Sequence, residues 1–452
     1  LSGFASAQDP FLALVAADAA ALLAHRDGTA RGEAALLAAE RADHAVQGRL
    51  LTLAADPDPQ ARQRALLALG RLGTPSAVQF LAGVLDGPAR SDDDAVAAAF
   101  ALGLVREHAA ASVTTQWLSR AQQGNWKRQR DPLLAFLHGM AREAGRPETP
   151  ALQQLLDDSS NRDPEVRALL LHHLLVGSRH DGRAIRRLLE RGSTAEREVL
   201  LRWLASDAAA IDADTLAALE PIAAHDDSAE QRALALGALL RARHRAALEL
   251  ARQALRTGSP VECALVLPAL RRLGGGDAVR HAIPRVLGER DPLRKAALLA
   301  GCDAPPSAAF ADHLARLAAD DGQPVALRSA SALLLARAEP GRSAPLLAAA
   351  FRASDDEPTL GRLARALLTA SVPPPPLAEL LPPGLRLAQL PRHWVALLRA
   401  GHPEAERAVL AGLRDGEQVL AALRAARAAR VLALPAVRDA AVPARLRELL
   451  AP

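Results

Sequence analysis

The sequence predicts an all-α protein, an α-solenoid of about ten antiparallel helix pairs with a period of about 33 residues, and three observations carry that prediction. The first is a single stretch, Asp56 to Leu85, that reads as a helix pair. Asp58 can cap orphan amides, and Pro59 suits a first helical position because it has no N–H to lose. Ala65, Leu66, Ala68 and Leu69 recur at helical spacing, Arg62 lies one turn after Asp58, and Gly70 and Gly73 close the segment. Thr74-Pro75 then opens a second helix over Ser76 to Leu85, with Val78, Leu81 and Leu85 on one side. Neither helix is long enough to stand without a neighbour.

The second observation is recurrence. With Arg62 as the reference, equivalent positions fall at Ala95, Arg130, Arg167, Arg197, Arg232, Cys263, Lys295, Arg328 and Arg362, at spacings of 30 to 37 residues. Seven residues further on come Leu69, Leu102, Leu137, Leu174, Leu204, Leu239, Leu270, Cys302, Leu335 and Thr369, nearly all apolar, as a buried first-helix position requires. Two helices per repeat at that period bury each repeat's open face against the next. The third observation is composition: 50% of residues are hydrophobic but only 2% aromatic, and Ala and Leu dominate, which favours helix. A repeat array has no single core, so 452 residues are expected as one continuous array.

Asp58 to Gly73, a DPxxR start followed by an AxxALGxLG-like segment, resembles the HEAT-like repeat named after the phycobilisome lyases. Asp163-Pro164-Glu165-Val166-Arg167 and Asp291-Pro292-Leu293-Arg294-Lys295 are similar to the same start. The resemblance spans residues 40–370 and concerns the repeat unit alone. It implies stacked helix pairs with right-handed progression and a habit of binding partners; it implies no activity, because this unit serves proteins of unrelated roles.

In chain order, Ala5-Ser6-Ala7 before Gln8 has the small-x-small form of a signal-peptide cleavage site. Residues 1–7 are therefore expected as a signal-peptide remnant and the protein as exported, to the periplasm or cell surface; without that signal it would be cytoplasmic. Residues 8–40 are Ala-rich and amphipathic, and are expected to cap the repeat array of residues 41–370. Within the array, Gln122 to Arg130 forms a longer polar connection, read as a solvated loop. The proline run in residues 371–384 predicts a stiff linker, and residues 385–452 predict divergent helical repeats ending in a cap, with helices at His393 to Ala400, Glu404 to Leu413, Gln418 to Ala429 and Pro443 to Leu450.

Motifs for chemistry are missing. There is no Gly-x-Ser-x-Gly elbow, and the two lysines, Lys127 and Lys295, do not follow the Gly that a phosphate loop needs. Gly274-Gly275-Gly276 joins two helices, not a strand to a helix, and reads as a loop or cap. Asp157-x-Ser159-x-Asn161 lacks the later Gly and Glu of a calcium loop, while the other acidic pairs suit helix starts. No His is followed by Glu, which removes the His-Glu motifs of the iron-dependent HEAT-repeat hydroxylases and the zinc signature. His172-His173 and His281 are read as structural or solvated, and Cys263 and Cys302 as buried thiols. No catalytic, cofactor-binding or metal-binding residue is predicted, no cofactor is expected, and no stretch is apolar enough to insert in a membrane.

The function expected is a non-enzymatic scaffold whose second helices line a concave groove for another protein. Arg187, Arg252, Arg285 and Arg316 recur 20 to 22 residues after their references and are the candidate partner-binding residues, a basic ridge able to hold an acidic protein segment. The alternative is a nucleic-acid binder resembling the HEAT-like DNA glycosylases, or further off an enzyme accessory subunit of the lyase kind. Nucleic acid is disfavoured because the net charge is only +4 and the signs alternate along the chain.

Overall fold

The computed structural model describes residues 10–40, 44–87, 91–105, 116–119, 130–140, 150–157, 163–177, 182–206, 211–272, 288–302, 307–371, 373–381 and 391–430. Ala5-Ser6-Ala7, Gln122 to Gln129, Asp158 to Asn161, Gly274 to Gly276, His281, Arg285 and Pro443 to Leu450 lie outside the described residues. The described elements are α-helices with one 3-10 turn, and there is no strand among the described residues.

The N-terminal helices are α1 (Pro10–Leu22), α2 (Gly28–Ala39), α3 (Gln47–Leu53), α4 (Pro59–Leu72), α5 (Pro75–Asp86), α6 (Asp92–Leu104), α7 (Arg130–Met140), α8 (Pro150–Asp157) and α9 (Pro164–Gly177). Then come α10 (Gly182–Arg191), α11 (Thr194–Leu204), α12 (Ala213–His225), α13 (Ala229–Arg241), α14 (Ala247–Thr257), α15 (Pro260–Arg272) and α16 (Pro292–Gly301). They are followed by α17 (Ala308–Ala319), α18 (Val325–Leu335), α19 (Pro340–Ala353), α20 (Glu357–Ala370) and α21 (Leu377–Leu380). The C-terminal helices are α22 (Pro391–Ala400), α23 (Pro403–Gly412) and α24 (Val419–Arg430). The chain forms two compact units, the first comprising Leu1–Arg179, Arg386–Arg399 and Pro403–Pro452, the second His180–Leu385 and Ala400–His402.

Local chemistry starts the helices where the sequence reading placed them. Asp58 accepts the Ala61 N–H at 3.0 Å with Pro59 at the first position, and Asp291 and Asp356 cap α16 and α20 through Leu293 and Thr359. Ser193 and Glu196 form a reciprocal capping box at α11. Gly73 ends α4 in the left-handed conformation, at φ 64, which a glycine adopts without a Cβ clash.

In the first unit, the first helices α2, α4, α6, α7 and α9 each pack directly on the next, whereas the second helices α3 and α5 scarcely touch. Glycine permits this. A Cβ on Gly70 would overlap the Ala101 carbonyl, one on Gly103 the Phe136 carbonyl, and one on Gly139 the Phe100 carbonyl. Helix backbones therefore meet with no side chain between them, and the interaxial distance falls to the short end of the helix-packing range. In the second unit the same row runs through α11, α13, α15, α16, α18 and α20.

The register predicted from the sequence holds along this row. Leu69, Leu102, Leu137, Leu174, Leu204, Leu239, Leu270, Cys302 and Leu335 are all buried. Thr369 is exposed, which corrects the last repeat: in α20 Leu360 and Leu367, 32 residues after Arg328 and Leu335, are buried along with Leu363 and Ala364. Arg362 is thus not the reference position. A shift of two residues turns a side chain by about 200° around a helix, and it points Arg362 outward.

The reference arginines join consecutive repeats. Arg31 binds Asp56 at 2.8 Å, Arg62 binds Asp94 at 3.0 Å, Arg130 binds Asp163 at 2.6 Å and Arg232 binds Glu262 at 2.8 Å. In three of these arginines a second nitrogen donates to a carbonyl six residues back, at His25, Asp56 and Asp226. One side chain so ties a helix start to its own preceding turn and to the next repeat. Burial pushes the Asp56, Asp163 and Glu262 carboxyls up, but the guanidinium and backbone N–H donors outweigh it and hold all three below the ordinary carboxylate range.

Within the first unit, α23 and α24 pack on α1 and α2 and cover the flank of the first helix pair. The contact is centred on Glu33, which is fully buried: Arg427 approaches it at 2.5 Å, Arg64 at 3.2 Å and Arg424 at 3.7 Å. Burial lowers the pKa of the Arg64 guanidinium, and Glu33 opposes that effect. In the second unit, the proline run leads into α21, which packs on α19; Leu380 and Leu381 are buried, and His402 Nε2 lies 2.9 Å from the Pro375 carbonyl.

Two outcomes are expected. Gly103→Val should lower stability by at least about 1–3 kcal/mol in urea denaturation, since backbone has to move, whereas Gly83→Ala, with open space around it, should be neutral or slightly stabilising. A carboxylate with a depressed folded pKa adds stability above its unfolded pKa, which is lost as pH falls through the folded value. The urea midpoint should accordingly stay level from about pH 7 to about pH 5 and drop below about pH 4, with a shallower drop in Asp163→Asn.

Candidate partner-binding surface

Counted from each reference, the residues two before, two after and five after fall on one stripe of a first helix. In the first unit this stripe is mostly closed: in α2, α4 and α6 Glu33, Arg64, Leu67, Ala97 and Phe100 occupy the positions two and five after the reference and are buried, while Gln60, two before it, is exposed. In the second unit it is open. Val261 and Leu265 on α15 are 47% and 38% exposed, and Leu293 on α16 is 54% exposed, with Ala300 exposed two turns further along. Val261 and Leu293 occupy the same register position of consecutive repeats, a place taken by polar Gln60, Glu165 and Glu230 in others.

Where α16, α18 and α20 meet, the stripe deepens into a groove of about 520 Å³. Its floor is apolar, made by Leu299, Ala300, Ala330 and Leu333, with the Cys302 thiol beside them. Arg337, Arg362 and Arg365 rim it, with Thr369 at one end. Arg337 donates towards the Cys302 carbonyl at 3.5 Å, Arg362 donates to Thr359 Oγ1 at 3.2 Å, and Arg365 donates to the Gly361 carbonyl at 3.1 Å. Burial pushes the Cys302 thiol up to about 11, so it is a protonated, weakly reactive group at neutral pH.

This site differs from the sequence-predicted one. Arg187, Arg252 and Arg316 are exposed on the second helices α10, α14 and α17, and Arg285 lies outside the described residues. The Arg252 guanidinium pairs with Glu249 at 3.4 Å on its own helix, and Arg316 donates to the Asp312 carbonyl at 3.4 Å. The groove instead belongs to first helices. Sequence reasoning missed Arg362 and Arg365 because an arginine near the expected repeat spacing was taken as the reference; Leu360 and Leu367 were the signal that the register had moved.

No arrangement for catalysis accompanies the groove. Among the described residues no group of three or more His, Cys, Asp and Glu side chains can hold a metal ion, and no helix is long and apolar enough to cross a membrane. His172 and His173 stand ring to ring at 5.6 Å; burial lowers the His172 pKa, and His173 Nε2 lies 2.8 Å from the Leu137 carbonyl.

Stacked helix pairs, capped first helices and an outward stripe repeating in register describe one kind of unit. Residues 17–104 match the family of HEAT repeats. That match covers α2 to α6 and the last six residues of α1, and the repeat unit there is similar to the HEAT repeat. HEAT repeats commonly serve as protein-interaction scaffolds, and their fold is typically non-catalytic. No curated protein matches the chain.

Both cysteines, Cys263 and Cys302, are buried and free. Neither thiol should react with a disulfide reagent in the native protein at about pH 8, and both should react at once in denaturant. Stoichiometric labelling of native Cys302 would contradict its burial.

Proposed function

We propose that this protein is a non-enzymatic scaffold that holds a partner protein along the outward face of the first helices in its second unit. The observation that supports the reading most is the open apolar stripe, in which exposed Val261 and Leu293 recur in register, with Leu265 one turn beyond Val261, where the first unit has polar Gln60 and Glu165 at the position of Val261 and Leu293. Large apolar side chains exposed on two consecutive first helices are the composition of a protein-binding surface rather than of an ordinary solvated helix face. The row of Arg187, Arg252 and Arg316 on second helices is the competing location for the same function.

Nucleic acid fits less well, for many arginines are already engaged by carboxylates between repeats, and the open stripe carries no aromatic side chain on which a base would stack.

A photo-crosslinking residue placed at 265 or 293, in the full chain expressed in its own host, should give one defined protein adduct. The triple variant Val261→Asp, Leu265→Asp, Leu293→Asp should lose that adduct while its melting temperature moves by less than about 3 °C, since exposed substitutions usually cost little. Adducts formed at 252 and 316 but not at 265 and 293 would move the surface to the second helices and overturn the assignment.

A further inference from the structure

We infer that the groove between α16, α18 and α20 receives an acidic helical segment of the partner, with an apolar side chain on the groove floor and two carboxylates, one helical turn apart, on Arg362 and Arg365. The inference rests on the scaffold reading above and adds the chemistry of what is held.

Charge balance along the row points to this occupant. Elsewhere an arginine on a first helix meets a carboxylate of an adjacent repeat: Arg71 binds Glu40 at 2.9 Å and Arg64 lies 3.2 Å from Glu33, both in the preceding repeat, and Arg202 binds Glu230 of the following one at 2.5 Å. The row of the second unit ends at α20. Arg362 and Arg365 are exposed there, and among the described residues they have only the Thr359 hydroxyl and the Gly361 carbonyl as partners. The two guanidiniums thus stand exposed at the groove rim without the carboxylate that first-helix arginines meet elsewhere in the row.

Spacing narrows the occupant further. Arg362 and Arg365 are three residues apart on one helix face, about 5–6 Å between Cβ atoms, which matches carboxylates three or four residues apart on a second helix. Arginine forks favour carboxylate geometry. The floor of Leu299, Ala300, Ala330 and Leu333 offers a phosphate or a sugar nothing, but suits a leucine-like side chain lying between the two acids. At about 520 Å³ the groove falls within the usual range for sites that enclose a ligand group.

The test uses the full chain and two fluorescein-labelled synthetic peptides of about 18 residues, long enough to be partly helical. One carries Glu-x-x-Leu-Glu repeats on an alanine background, and the other has every Glu replaced by Lys. Fluorescence anisotropy should show the acidic peptide binding at least about tenfold more tightly than the basic one, and weakening several-fold between about 50 and 300 mM NaCl. Arg362→Glu combined with Arg365→Glu should reverse the preference at unchanged melting temperature, and Leu333→Asp should weaken the acidic peptide. Equal binding of both peptides, or wild-type binding by the double reversal, would overturn the inference. Loss of self-association on charge reversal, without peptide binding, would overturn it in favour of a second copy of the chain. Persistence of the adducts at 265 and 293 in either case leaves the scaffold reading standing and removes only the acidic segment.

Discussion

Backbone-to-backbone stacking of the first helices is the constraint on which the remaining features depend. In the first unit Gly70, Gly103 and Gly139 face carbonyls of the adjacent helix at distances that leave no room for a Cβ, so first helices approach more closely there than the second helices α3 and α5. A row packed this tightly leaves each helix one narrow stripe not used for stacking or for the second helix. What occupies that stripe decides whether the face is core or surface. In the first unit Leu67, Ala97 and Phe100 are buried there; in the second, Val261, Leu265 and Leu293 remain exposed. The stripe is therefore mostly covered in the first unit and open in the second.

Electrostatics follows the packing. The reference arginines sit beside the start of the next first helix, where a capping or first-turn carboxylate is already present, so each pair joins two repeats and supports a helix start together. Such pairs are partly exposed and individually worth at most about 1 kcal/mol, but they are specific about which residue lies opposite which. Glu33 is different. Fully buried beneath Arg64 and Arg427, it would cost several kcal/mol to leave unpaired, so it constrains how α24 meets α2 more than it adds to stability. In α20 the reference is Leu360, the inter-repeat ion pair is gone, and the arginines of that helix have turned to the rim of the groove.

Much of the fold was legible in the chain. Asp58-Pro59 and Asp291-Pro292 marked helix starts because capping is a local interaction between residues two or three apart. The leucines seven residues after each reference marked the buried side because repetition presents the same neighbours again and again. The site was less legible. Val261 and Leu293 stood out as apolar where Gln60, Glu165 and Glu230 are polar, but an exposed position cannot be told from a buried one by residue type alone. Arg362 lay at a plausible spacing from Arg328 and concealed the two-residue shift.

By itself, the sequence determined the helices, their pairing and the HEAT-type repeat, since these rest on caps, periodicity and contacts between adjacent repeats. Tertiary structure alone decided which stripe is open and which is covered. Glu33 and Arg427 are 394 residues apart, and nothing near either one announces the other. The groove needs the ends of three helices from three repeats. Exposure depends on every element that packs over a residue, and those elements come from distant parts of the chain.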